Sequence, residues 1–206
     1  MDDTEFDTVL TDAAFALAAE RGWRAASPAA AARHAGLPLD RARARFSNRH
    51  AILLHLGRIA DQAALADITE EGSVRDRLFD LLMRRIDVFQ TRRAGVLALL
   101  RALPTEPATA ALLTCATERS MAWMLEAAGV SATGLRGALR VRGLLAVWLW
   151  TMRAWQTDES PDLTVTMAAL DSALARAEPF AKWLNGQPAP NDQPTPTDQP
   201  TTAAET

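Results

Sequence analysis

The stretch SPAAAARHAGLPLDRARARF, residues 27–46, decides how the whole chain reads. Ser27 before Pro28 is a helix start: the serine oxygen takes free amides of the first turn, and proline occupies a position whose N–H needs no partner. Ala35-Gly36 closes that helix, and Leu37-Pro38 opens a second short one reaching Phe46. Small side chains at Ala31, Ala32 and Ala35 let the two helices cross closely, and the turn length fits a helix-turn-helix. The second helix carries Arg41, Arg43 and Arg45 in alternation. At about 100° per residue they fan over a broad arc, some toward base edges and others toward phosphates. Ser27, Arg41, Arg43, Arg45 and Arg49 are therefore the candidate DNA contacts. The competing reading is a solvated basic helix pair in an arginine-rich chain.

Outward from this pair nearly everything reads as helix. Upstream, Phe6, Leu10, Ala13 and Leu17 recur at helical spacing and Gly22 marks the stop. Downstream, Asn48 caps a helix through Ile52, Leu53, Leu56 and Ile59, and Ser73 with Asp76 forms an imperfect capping box before Leu78, Leu81, Leu82 and Ile86. A short helix from Gly95 to Leu103 stops at Pro104. A longer one starts at Thr105 and ends near Gly129, and another runs from Gly134 to Trp155. Ser160-Pro161-Asp162 repeats the cap-proline-acid signal for a last helix through Leu163, Met167, Leu170, Leu174 and Ala177. Two long helices with a short connection pack antiparallel. Residues 185–206 hold five prolines and no large apolar side chain, and are expected to form a disordered tail.

Composition agrees. The 206 residues, 49 % of them hydrophobic, suffice for one or two small domains with a buried core. Of these 42 are Ala and none is Tyr, which favours helices and excludes an all-β sandwich or barrel. The single Cys115, expected to be a buried and inert thiol, allows no internal disulfide and no thiolate zinc site. His34, His50 and His55 leave little for other metal chemistry. There is no nucleophile triad and no glycine-rich phosphate loop, so no catalytic residue, metal or cofactor is assigned and the chain is not expected to be an enzyme. The acidic start MDDTEFDT is unlike a signal peptide, and the apolar run Gly143–Met152 is shorter than the ~20 residues a membrane span needs. The expected location is the cytoplasm, with peripheral contact at the inner face of the membrane.

Charge is segregated. Residues 21–60 carry eight arginines against the single acid Asp40, whereas residues 1–20 carry six acids and no base. Such a basic block suits a polyanion, whether DNA or anionic headgroups.

The order of elements resembles the N-terminal domain of the TetR family of repressors. Ala18-Ala19-Glu20-Arg21-Gly22-Trp23 is similar to the family's Ala-Glu-Arg-Gly-aromatic ending of the first helix. Ala35-Gly36-Leu37 and Phe46 match its turn and closing aromatic. Where the family has Leu-Tyr in the second helix, this chain has Ala42-Arg43, and Ala31 stands for a bulky aliphatic. The resemblance implies an all-α, TetR-like architecture: a three-helix helix-turn-helix domain plus a C-terminal bundle of about six helices. The domains are 1–60, 61–184 for ligand binding and dimerisation, and the tail 185–206.

A second resemblance covers residues 74–178. Arg75-Asp76-Arg77-Leu78-Phe79, Met83-Arg84-Arg85-Ile86-Asp87 and Met121-Ala122-Trp123-Met124-Leu125 are similar to the bacterial Coq-nine family, accessory proteins of ubiquinone biosynthesis that bind lipid. So is Trp155-x-x-Asp158-x-Ser160-Pro161-Asp162, followed by Thr166-Met167 and Leu170-Asp171. The stretch that docks the partner hydroxylase in eukaryotic members aligns near Gly137-Ala138 and Arg140-Val141-Arg142, where the basic character is kept and the aromatic pair is absent.

Read as residues, Met121, Trp123 and Met124 on one helix and Leu145, Trp148, Leu149 and Met152 on another are candidates to line a lipid pocket, or else packed core. Phe180, Trp183 and Leu184 beside Lys182 are a candidate membrane contact. Two functions follow, and the longer C-terminal resemblance favours the first, with the second as its alternative. The first is a lipid-binding accessory protein that presents an isoprenoid-quinone intermediate to a membrane-associated ubiquinone-pathway hydroxylase. The second is a dimeric TetR-type DNA-binding repressor sensing an apolar ligand. Both imply a homodimer.

Overall fold

In a computed structural model the chain is described at residues 1–66, 68 and 71–184, with backbone alone at 182–184. The expected tail at 185–206 and the side chains of Trp183 and Leu184 lie outside the described residues. Among these, nine α-helices follow in order: α1 (Asp3–Arg21), α2 (Pro28–His34), α3 (Leu39–Arg45), α4 (Arg49–Leu65), α5 (Val74–Gln90), α6 (Arg93–Ala102), α7 (Pro107–Ala127), α8 (Gly134–Thr157) and α9 (Thr164–Leu184).

Local chemistry sets the starts. Ser27 Oγ accepts from Ala30 N at 3.2 Å, Asn48 Oδ1 from Ala51 N at 3.1 Å, and Asp2 Oδ1 from Glu5 N at 2.8 Å. Ser73 and Asp76 close both halves of a capping box, each side chain accepting from the other's backbone. Each such cap contributes about 1 kcal/mol. Gly36 sits at φ 65° between α2 and α3, a left-handed conformation open to glycine at no steric cost. Ala31, Ala32 and Ala42 are buried where α2 and α3 cross.

The core is continuous from end to end. Phe6, Leu10, Phe15 and Trp23 form its N-terminal part, with the Phe15 and Trp23 rings 5.7 Å apart. Leu82, Ile86, Met121, Met124 and Trp155 form its C-terminal part. The expected boundary at 60/61 falls inside α4, which runs unbroken from the helix-turn-helix into the bundle. A second link is α6 against α1. A Cβ on Gly95 would stand 2.2 Å from the Phe15 carbonyl oxygen, so the two backbones meet with no side chain between them. Arg92 Nε donates to Asp12 Oδ1 at 2.5 Å beside that contact.

Several local expectations give way to longer-range contacts. The helix expected from Thr105 begins at Pro107, because Leu103–Thr105 forms a 3-10 turn instead. The last helix begins at Thr164 and not at Pro161. Asp158 takes the amides of both Ser160 and Thr166, at 3.0 and 2.8 Å, and bends the chain through Leu163 at φ 56°. Cys115, expected to be buried, is exposed on α7. The helices α8 and α9 pack against each other as the antiparallel pair the short connection implied. No single helix among the described residues is long and apolar enough to cross a membrane.

Candidate ligand cavity and nucleic-acid interface

The helix pair α2–α3 presents a face different from the one its arginines suggest. Arg41 turns back onto α1: its Nη2 donates to Asp3 Oδ1 at 2.7 Å and to the Asp2 carbonyl at 2.9 Å, and its guanidinium lies 4.4 Å from the Phe6 ring centroid. Arg45 also folds back, donating from Nη1 to Asp3 Oδ2 at 2.9 Å and from Nε to Asp7 Oδ1 at 2.9 Å. The hydrogen bond from Arg41 and the charge of Arg45 hold the Asp3 carboxyl below the ordinary aspartate value. Ser27 is used as a cap, and Arg49 Nη2 donates to Glu106 Oε2 at 3.1 Å. Of the candidate DNA contacts only Arg43 is exposed with no hydrogen bond or ion pair among the described residues; Arg33 on α2, which the sequence did not single out, is another such arginine. Acids of α1, 38 to 42 residues upstream in sequence, thus take up much of the basic block.

Glu106, 7 % exposed, sits where the α6–α7 turn meets the helix-turn-helix. Its carboxylate accepts from Arg24 Nε at 3.0 Å, Arg49 Nη2 at 3.1 Å and Thr109 Oγ1 at 2.9 Å. Since Thr109 spends its proton on Glu106, the 2.9 Å contact with His50 Nε2 is one in which the imidazole N–H donates. Burial pushes the Glu106 carboxyl up, but Thr109, Arg24 and Arg49 together outweigh it and hold the group below the ordinary glutamate value. A depressed carboxyl stabilises the fold above its unfolded pKa and loses that contribution as pH falls through the folded one. The stability gap between the native chain and Glu106→Gln is therefore expected to be widest near neutrality and to narrow below about pH 4.5, read by urea unfolding at a series of pH values. A gap independent of pH would mean that the ion pairs carry none of it.

A cavity of about 440 Å³ opens between α4, α5, α6, α7 and α8. Of the residues proposed for a lipid pocket, Trp123, Leu145, Trp148, Leu149 and Met152 line it. Met121 and Met124 do not: both are fully buried in the core. Trp123 and Leu149 are 65 % and 58 % exposed and flank its opening. Its apolar wall continues with Leu53 on α4, Phe89 on α5, Leu99 on α6, Leu103 just past the end of α6 and Leu113 on α7. Phe180 lies away from it on α9, half exposed.

Polar groups of α4, α5 and α7 interrupt this wall, and Arg85 is the buried cation among them. Arg85 on α5 is 3 % exposed, paired with Asp61 of α4 and packed against the Trp148 and Phe89 rings at 5.2 and 5.6 Å. Ser120 Oγ donates to Asp61 Oδ2 at 2.7 Å. Burial pushes the Arg85 guanidinium down to about 10, which leaves it charged at neutral pH. Its Nε has no hydrogen-bond partner among the described residues, a cost of about 1–3 kcal/mol for a buried donor. No group of acids, histidines and cysteine that could hold a metal ion occurs among the described residues.

No family model matches the chain, and no curated protein matches it. The likeness to the Coq-nine family thus gains no support from these comparisons, whereas two solved structures match over most of their length. A TetR transcriptional regulator from Nitrosomonas europaea ATCC 19718 superposes with a TM-score of 0.69 at 21 % identity, over 84 % of this chain and 98 % of its own. A tetR-family transcriptional regulator from Streptomyces coelicolor does so with a TM-score of 0.61 at 19 % identity, over 90 % and 87 %. The architecture is all-α and TetR-like.

Proposed function

We propose that the protein is a dimeric DNA-binding regulator whose affinity for DNA is set by an apolar ligand in the cavity. It is not an enzyme in this reading, and its place is the cytoplasm. The observation that carries the proposal is the double duty of α6. Val96 and Leu99 of this helix, and Leu103 just past its end, are cavity wall, while Gly95 lies directly against the backbone of Phe15 in α1. Just beyond the helix end, Glu106 grips Arg24 and Arg49 of the helix-turn-helix. A ligand that favours one position of α6 thereby favours one position of the helix pair, and the shift is limited by its differential affinity for the two. The partner subunit is a second copy: α8 and α9 leave Trp150 and Val165 52 % and 54 % exposed beside small Ala146, Ala168 and Ala175, a surface suited to a four-helix interface.

Binding to duplex DNA across a salt series tests this. With Arg33 and Arg43 available on each of two protomers, log Kobs is expected to fall against log salt with a slope of ~−3.6, and Arg43→Ala is expected to flatten it by about 2. The footprint on a selected site is expected to be two-fold symmetric. Binding without salt dependence, or no binding, overturns the reading.

One observation favours the lipid-carrier alternative: Arg41 and Arg45 are engaged by α1, and the cavity mouth is flanked by exposed Trp123 and Leu149 suited to hand a quinone intermediate to a hydroxylase at the membrane. A fall in ubiquinone with accumulation of a late precursor in a strain lacking the gene, restored by a copy with Arg33 and Arg43 changed to Ala, would decide for that alternative.

A further inference from the structure

Building on the ligand-responsive reading, we propose that the cavity takes an amphipathic monocarboxylate, with its anionic head at Arg85 and its apolar tail toward α6. The long axis of the cavity is polar at one end and apolar at the other. Two contacts fix this: His50 with Thr109 and Asp61 with Ser120 join α4 to α7 at positions separated by the same number of residues on both helices. The two helices therefore run side by side in the same direction, and the contacts lie about 16 Å apart at the helical rise. Near the first contact the wall is Leu53, Leu99, Leu103 and Leu113. Near the second it is Asp61, Arg85 and Ser120, with Arg58 and Arg119 one turn or less away on the same two helices.

The charged residues of the lining are Arg58, Asp61, Arg85 and Arg119, and of its three arginines Arg85 is the buried one, Arg58 and Arg119 being exposed to solvent. Asp61 compensates the Arg85 guanidinium and solvent screens the other two, so selection of an anion falls to a directed contact at Arg85. Arg85 supplies that contact: it is 3 % exposed, packed against two aromatic rings, and its Nε–H has no acceptor among the described residues. A carboxylate oxygen presented from the cavity satisfies that donor in the charge-assisted geometry guanidinium groups prefer. A neutral apolar molecule fills the same volume and leaves the donor as it is.

The test uses the full chain without DNA, titrated with decanoate and with decan-1-ol below their aggregation limits and followed by calorimetry. Decanoate is expected to bind at least about tenfold more tightly, the worth of one charge-assisted hydrogen bond in a buried site. In a chain carrying both Arg85→Met and Asp61→Asn, which removes the pair without leaving a lone buried charge, the two probes are expected to bind within about twofold of each other. Circular dichroism confirms that this variant is folded, and decan-1-ol binding confirms that its cavity persists. Equal affinities in the native chain, a preference for the alcohol, no decanoate binding, or a preference that survives in the double variant overturns the proposal. DNA affinity of the ligand-free chain is a separate readout, so loss of the carboxylate preference and loss of the regulator reading are distinguishable.

Discussion

Gly95→Ala is expected to destabilise the protein by about 3 kcal/mol, a fall of roughly 6–12 °C in melting temperature for a chain of this size. On an isolated helix the same change stabilises by about 1 kcal/mol, since alanine is the better helix former. Here the added Cβ would lie 2.2 Å from the Phe15 carbonyl oxygen and 2.8 Å from its carbonyl carbon and Cβ. None of these atoms sits at the end of a flexible side chain, so relief requires α1 and α6 to separate. Separation loosens the seat of Phe15, Ala14 and Leu10, all 2 % exposed or less. Gly143→Ala on α8, where a Cβ meets nothing within 4 Å, is the control and is expected to be neutral or stabilising. Thermal unfolding of the two variants side by side reads the difference. Because α6 is also cavity wall, Gly95→Ala is expected to blunt any effect of ligand on DNA affinity by more than its stability loss alone accounts for. Equal melting temperatures for Gly95→Ala and the native chain would mean that α1 and α6 do not meet this closely.

The second large effect is expected at Asp158. Its side chain is almost wholly buried and accepts four hydrogen bonds: from Ser160 N at 3.0 Å, Thr166 N at 2.8 Å, Thr166 Oγ1 at 2.6 Å and Ser160 Oγ. Burial pushes the carboxyl up, but these bonds outweigh it and hold the group well below the ordinary carboxylate range. Asp158→Ala orphans the amide and hydroxyl of Thr166, which is fully buried, and removes the anchor that holds Leu163 at positive φ. The expected cost is about 3–5 kcal/mol, seen as a drop in urea midpoint with little change in slope. Asp158→Asn keeps one acceptor oxygen and is expected to cost roughly half as much. The carboxylate's contribution is complete above pH ~5 and fades as pH falls through its depressed pKa, so the Asp158→Ala penalty is expected to shrink in strong acid. Equal penalties for Ala and Asn would mean that the carboxylate's charge and bonds are not what holds the start of α9.

Elements built from neighbours in sequence were legible. The Ser27-Pro28 cap, the turn at Gly36, the Asn48 cap and the Ser73–Asp76 box are set by atoms within four residues of one another, and each stands where its residue types put it. Ser160-Pro161 carried the same signal, but the helix starts three residues later, at Thr164: Ser160 Oγ accepts from Thr164 N at 3.0 Å, while Asp158, a charged acceptor, takes the amides of Ser160 and Thr166. The aromatics of α7 and α8 were legible as one apolar group. Whether a given one faces a void or a packed core was not, since that depends on which side chains arrive from α4, α5 and α6.

Arginine positions were legible; their partners were not. Arg45 with Asp7, Arg24 with Glu106 and Arg85 with Asp61 join residues far apart in the chain, and nothing in the local pattern of either member points to the other. Helical periodicity, cap chemistry and the alanine-rich crossing, all short-range, determined the all-α class and the helix-turn-helix from sequence alone. Which arginines remain free to meet a polyanion, and which one is drawn into an apolar cavity with a donor to spare, only the tertiary structure decided. Electrostatic pairing depends on distance in space, and in this fold acids of α1 and α4 come within hydrogen-bonding reach of bases that the sequence sets tens of residues away.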